Sequence, residues 1–280
     1  MGSQSDEQLN NVMICSLMPE VIGCLRRDLE ALEPDFLLVT GDLAHESTRD
    51  AMFAARDLMD SLDLPYYPTG GEYDFASPEA REWFLEVFSS RLPGAETYYS
   101  FTHKNLHVCV LDPWWRWPDG ALCPFRCTTG EECGWVVPPH QFDWLKADLD
   151  AHRASPTVLA MHHPVTPTPE RLQRNGCRQP GHVENGDLLL ETLAAFPQVK
   201  AVFSGHVHMN YIVQHEGLIH VASSAMAEYP VEYREVVVAD DHLEIRTLGL
   251  SEALFATQSL IEGNEWVAGE EQDRAIRIDF

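Results

Sequence analysis

Four short clusters of metal-ligating side chains punctuate this sequence: Gly41-Asp42, Gly71-Glu72-Tyr73-Asp74, His162-His163-Pro164 and Gly205-His206-Val207-His208. Imidazole nitrogens mixed with carboxylate oxygens form a donor set that suits divalent transition metals. Glycines beside the ligands let the backbone turn sharply and approach a shared centre closely. A lone HxH or GD would mean little. Here each cluster directly follows an apolar run of strand length, and ligands in open α/β sheets bind beyond the carboxyl ends of the strands. Parallel strands would carry the four loops to one edge.

The elements that must position them can be read from hydrophobic period. Residues 12–15, 36–40 and 64–67 read as buried strands, separated by amphipathic helices over 23–32 and 50–62. That alternation predicts an α/β sheet with parallel strands. Residues 98–101 and 106–111 read as adjacent strands joined by a polar turn. A helix is expected over 142–152, then a strand over 157–161, a helix over 188–196 and a strand over 199–203. Short strands follow near 211–213, 218–221, 236–238 and 243–247. Residues 113–139 form a long stretch rich in Trp, Pro, Gly and Cys, expected to be irregular and to cover the cleft.

These motifs resemble the metallophosphoesterase, or calcineurin-like phosphoesterase, family from residue 12 to about residue 225. The family carries D-x-H, GD, GNH[DE], H-x-P and GHxH. The strongest matches are Thr40-Gly41-Asp42, Met161-His162-His163-Pro164 and Ser204-Gly205-His206-Val207-His208, with supporting similarity at 34–36, 98–101, 110–112 and 141–145. The resemblance implies two packed mixed β-sheets flanked by helices, with metal loops on a common edge. It implies that Asp42 bridges two metals and that one of them also takes Glu72 (where the family has Asn), His162 and His206. The other metal would take D-x-H and His208, but Ser16-Leu17-Met18 stands where D-x-H belongs, and serine and methionine are poor ligands for a hard divalent cation. His45, three residues after Asp42, sits where purple acid phosphatases place a ligating tyrosine. It is either a replacement ligand or a solvated loop histidine. Tyr73 replaces a histidine that contacts the phosphate and assists the leaving group, and a phenol with a pKa near 10 is a reluctant acid.

The expected function is a metal-dependent phosphoesterase acting on a small phosphomonoester or phosphodiester, with Asp42, Tyr73 and His162 in catalytic positions. The expected ligand set is Asp42, Glu72, His162, His206, His208 and His45, holding one tight divalent zinc, manganese or iron ion and a second that is weak or absent. The alternative is a catalytically inactive relative that binds a phosphorylated ligand or a protein partner. Loss of D-x-H favours that alternative, and survival of four ligand-type residues disfavours it. A structural zinc protein fits poorly, because the ligands lie on four separated loops. His163 reads as a cleft-lining residue. Trp114, Trp115 and Trp117 read as packing residues before a platform for a base or sugar. Arg126, Arg171 and Arg174 could hold phosphate, with a surface role as the default.

Composition narrows the partners. Asp and Glu number 44 against 19 Lys and Arg, a formal net charge of -25. Such a surface repels phosphate backbones and anionic lipid heads, so neither general nucleic-acid binding nor membrane binding is expected. No secretory signal or membrane span is evident, which points to the cytoplasm. Seven cysteines, an odd number in a long chain, argue against a disulfide framework. Cys15, Cys24 and Cys109 lie in apolar contexts and read as core. Cys123, Cys127, Cys133 and Cys177 fit a disulfide or free thiols better than a zinc knot. Residues 1–280 are expected to form one domain, with a core over about 12–250 and an extension over 251–280.

Overall fold

The computed structural model describes residues 10–127, 133–175, 181–215 and 217–280. The first part of the chain alternates helix α1 (Met18–Leu32), strand β1 (Leu37–Val39), helix α2 (Arg49–Asp60), strand β2 (Tyr66–Pro68) and helix α3 (Ala80–Val87). Pro19 lies in the first turn of α1, where its missing N–H costs nothing. The Thr48 side chain caps α2 by accepting from the Ala51 N–H at 3.2 Å. β1 and β2 pair in parallel.

Next come the hairpin of β3 (Tyr99–His103) and β4 (Leu106–Val110), then β5 (Trp114–Arg116), β6 (Leu122–Cys123) and β7 (Gly134–Val136). Helix α4 (Pro139–Ala151), strand β8 (Thr157–Ala160), helix α5 (Gly186–Ala194) and strand β9 (Val199–Ser204) follow. The chain finishes with β10 (Tyr211–His215), β11 (Leu218–Ala222), β12 (Glu232–Val238), β13 (His242–Gly249), helix α6 (Leu254–Ser259) and β14 (Ala275–Asp279). A six-stranded mixed sheet runs β10-β11-β9-β8-β4-β3, with a parallel centre and an antiparallel strand at each edge. Its β4 is buried along its whole length, because both faces are covered. On one face Leu145 and Leu149 of α4 and Leu189 and Leu193 of α5 pack on Cys109, Leu159 and Val202. On the other face Val108, Val110, Ala160, Ala201 and Val221 meet Leu243, Ile245 and Ile278 of the sheet β12-β13-β14, with Leu38 and Tyr67 alongside. This is the expected sandwich of sheets flanked by helices.

Three expectations need correction. Residues 12–15 form no strand. Val12 N–H donates to Ser259 O at 2.9 Å and Ile14 N–H to Ala227 O at 2.8 Å, after which Cys15–Leu17 turns into α1. The run is apolar, but its N–H groups are taken by these separate loop carbonyls and not by a neighbouring strand, and Cys15 is only half-buried, whereas Cys24 and Cys109 are buried. Residues 113–139 are not irregular throughout, since among the described ones β5, β6 and β7 pair into an antiparallel sheet. Trp115 and Cys123 pack with Phe75, Phe84 and Phe88, and Trp117 packs against the same group, so the packing reading of those tryptophans holds. Cys127 and Cys133 form a disulfide, Cys123 is a buried free thiol, and Cys177 lies outside the described residues. The tail after residue 250 is no appendage. β14 pairs with β13, and buried Asp273 accepts from Ile212 N–H at 2.7 Å and pairs with Arg171.

His220 of β11 gives a clean pH prediction. It is buried, its Nε2 lies 2.9 Å from Ser204 Oγ and its Nδ1 3.2 Å from Thr166 Oγ1. Burial pushes its pKa down from 6.5 to about 4. Between those values the unfolded chain binds the extra proton, so stability rises with pH and is lost as pH falls. The loss should reach about 3 kcal/mol by pH 4. Urea unfolding at pH 7 and pH 4.5 checks it: His220→Asn should flatten the pH dependence, and an equal slope in the variant would refute the assignment.

Candidate metal centre

The four loops do meet. β1 leads into Gly41-Asp42, β2 into residues 71–74, β8 into His162-His163 and β9 into Gly205-His206. His162 Nδ1 lies 2.6 Å from Thr40 O. A carbonyl can only accept, so Nδ1 carries the proton and donates. The other nitrogen, Nε2, then faces Glu72 Oε2 at 2.5 Å and Asp42 Oδ2 at 3.2 Å. His206 Nδ1 is 2.8 Å from Glu72 Oε1, and His163 Nε2 is 3.6 Å from Glu72 Oε2. Donor atoms of Glu72, His162, His163 and His206 all lie within 4.8 Å of one another, and all four residues are buried.

The electrostatics follow from that crowding. Burial opposes ionisation of Glu72, but the facing His206 and His162 overcome it and hold the carboxyl well below the usual range. Burial likewise opposes a charged His162, but Asp42 and Glu72 hold its pKa well above that of a free imidazole. Burial, reinforced by His206 and His162, pushes His163 well below it.

Polar atoms here lack protein partners. Asp42 Oδ2 and both ring nitrogens of His163 and of His206 are buried without a hydrogen-bond partner among the described residues. The close approach of His206 Nδ1 to Glu72 is an ion-pair distance without hydrogen-bond alignment. A second cluster makes a useful contrast. His107, Cys109 and Asp148 also bring donors within 4.8 Å. There His107 Nε2 pairs with Asp148 at 2.7 Å, His107 Nδ1 with Thr102 at 2.9 Å, and the Cys109 thiol donates to Asp148 at 3.2 Å. That network is satisfied by the protein, whereas the four-loop cluster fits a cation in donor chemistry and in its unpaired atoms.

The backbone is bent to serve this geometry. Asp42, His206 and His208 hold φ of 55°, 65° and 52°, the left-handed region that non-glycine residues avoid. Such strain costs on the order of 1–3 kcal/mol per residue and collects at functional sites. Gly71 is obligatory for close approach, because a Cβ there would collide with the Asp42 carboxylate. Asp74, fully buried, accepts from the N–H groups of Ala44 and Gly71 at 2.9 Å each and of Leu43 at 3.2 Å, which locks the Asp42 loop onto the Glu72 loop. Burial, with the Asp42 charge nearby, pushes its pKa up to about 7. Tyr73 N–H donates to Asp42 Oδ1 at 2.9 Å.

Other expected residues lie outside the cluster. His45 is exposed, and its ring stacks on Tyr73 with centroids 5.7 Å apart. His208 Nδ1 pairs with Glu228, a buried carboxylate that also accepts from Asn11 N–H at 2.6 Å. Ser16 is exposed at the foot of α1. Arg171 is committed to Asp273 and Glu270. Sequence reasoning missed Glu228 and Trp135. The Trp135 ring stacks on His163 at 4.4 Å and meets His206 edge-on at 5.0 Å, so β7 roofs the cluster. Its main chain is held by Glu184 N–H, which donates to Trp135 O at 2.7 Å.

Comparison with known proteins agrees with this geometry. A family model described as calcineurin-like phosphoesterase matches residues 17–210. A 3′,5′-cyclic-nucleotide phosphodiesterase of Nostoc sp. is 27% identical over 70% of this chain and 64% of its own length. A glycerophosphodiester phosphodiesterase of Enterobacter lignolyticus is 26% identical over 62% of this chain and 56% of its own. The chain therefore spans less than two thirds of either relative. Among solved structures, a dimetal phosphatase from Danio rerio superposes with a TM-score of 0.62 at 13% identity, covering 95% of this chain and 88% of that one. That likeness is one of fold.

Proposed function

Because this chain belongs to the calcineurin-like phosphoesterase family, we propose that it is a metal-dependent hydrolase of a small phosphodiester that works from one tightly held divalent cation. The observation that carries this reading is the buried four-loop cluster, in which Asp42 Oδ2 and the His163 and His206 ring nitrogens have no hydrogen-bond partner among the described residues. The phosphodiester class rests on the two relatives that hydrolyse such bonds. Asp42, Glu72, His162 and His206 would hold zinc, manganese or iron. When bound, such an ion supplies Lewis acidity toward phosphoryl oxygens and eases the ionisation of water. Thr40 O fixes the His162 tautomer, so that its Nε2 offers a lone pair to the centre. Tyr73 N–H orients Asp42, and the Tyr73 ring stacks on that of His45 beside it. A second cation would have Asp42 and His208 as its dependable ligands, and His208 is already paired with Glu228.

Metal analysis of purified protein, with hydrolysis of bis(p-nitrophenyl) phosphate, tests this. One tight metal per chain is expected, with weak activity that chelation removes and metal restores. His45→Ala should leave the stoichiometry at one. Two tight metals per chain, unaffected by His45→Ala, would overturn the single-ion reading. A folded protein that binds no metal under any condition would favour the inactive relative.

A further inference from the structure

We propose that His163 is a metal ligand, which adds a third histidine to the Asp42, Glu72, His162 and His206 set described above; this assignment rests on the metal-binding reading just given. His163 is 2% exposed, and neither of its ring nitrogens has a hydrogen-bond partner. A neutral imidazole carries one donor and one acceptor, and burying both without partners is unfavourable. His220 shows how this fold treats a buried histidine away from the metal centre, since both of its nitrogens are paired with hydroxyls.

Geometry points the same way. His163 Nε2 lies 3.6 Å from Glu72 Oε2, the atom that also faces His162 Nε2. A tetrahedral zinc site with bonds near 2.0–2.1 Å sets its donors about 3.4 Å apart. The His163 Nε2–Glu72 Oε2 distance of 3.6 Å is close to that spacing, while His162 and His206 approach Glu72 more tightly, at 2.5 Å to Oε2 and 2.8 Å to Oε1. The three rings surround one point, with centroids 4.9 Å apart for His162 and His163, 4.5 Å for His163 and His206, and 5.3 Å for His162 and His206. Trp135 lies flat against His163 and so restrains its ring plane. As a neutral imidazole, His163 adds a nitrogen to the centre without altering the charge that Asp42 and Glu72 set against a divalent ion.

Zinc K-edge absorption of the zinc-loaded wild-type protein counts bound imidazoles directly. Three are expected, falling to two in His163→Ala, with zinc affinity, read by chelator competition, weakened by about 10- to 100-fold or more. Two imidazoles on a tightly held zinc in the wild type would overturn the His163 assignment alone. An unchanged count and affinity in His163→Ala would do the same. Failure of the wild type to bind zinc at all would overturn both this assignment and the reading it rests on. The wild-type count decides the matter even where the alanine variant folds poorly.

Discussion

His206→Ala is expected to release the tightly held metal and lower phosphodiester hydrolysis by roughly a thousandfold, about 4 kcal/mol of transition-state stabilisation. The argument is positional. His206 closes the cluster from the β9 loop, its Nδ1 faces Glu72 Oε1 at 2.8 Å, and neither nitrogen has an aligned hydrogen-bond partner among the described residues. The backbone adds a control. Position 206 has φ of 65°, a conformation alanine resists and glycine accepts. His206→Gly should therefore be more stable than His206→Ala by about 1 kcal/mol while being just as inactive. Chelator titration, a hydrolysis assay and urea unfolding measure the three quantities. Retained metal and activity in either variant would remove His206 from the centre.

Asp74→Ala should do its damage through the backbone. Its carboxylate accepts from three main-chain N–H groups on two loops, and alanine leaves all three without an acceptor. Each unmet group costs about 1–3 kcal/mol, so a loss of about 3–9 kcal/mol is expected, nearer the low end where water reaches the freed groups. For a chain of this size the low end lowers Tm by roughly 10 °C. Asp74→Asn keeps one carbonyl acceptor and should lose less. Because the same contacts aim Asp42 at the cluster, metal affinity should fall in both variants, more in alanine than in asparagine. An alanine variant with wild-type Tm would refute the locking role.

Much of this was readable beforehand, for a physical reason. A ligand that follows a buried strand at a glycine turn has its place set by the sheet, so Asp42, Glu72, His162 and His206 converge as their spacing implies. What escaped depends on contacts between distant segments. Residues 12–15 look like a strand, but their N–H groups find Ser259 and Ala227 instead of a neighbouring strand. Trp135 sits in a stretch whose Pro and Gly content suggests a loop, and only the β5–β7 pairing aims it at His163. Glu228 gives no local signal, since its meaning lies in His208 and in the Asn11 N–H. His163 follows a motif histidine and reads as lining until its buried nitrogens are seen to lack hydrogen-bond partners among the described residues.

The pairing of β14 with β13, and of the segment before α1 with Ser259 and Ala227, bears on how the chain is made. Contacts between distant segments slow folding because the intervening chain must be closed first. During synthesis the six-stranded sheet can assemble once β11 has left the ribosome. Its second face, with Val108, Ala160 and Val221, then stays open to water until β12, β13 and β14 arrive to cover it. Nascent chains stalled between about residue 222 and residue 279 should thus be the species that chaperones hold, and the α1 lead-in should be the last part of the backbone to become protected from hydrogen exchange.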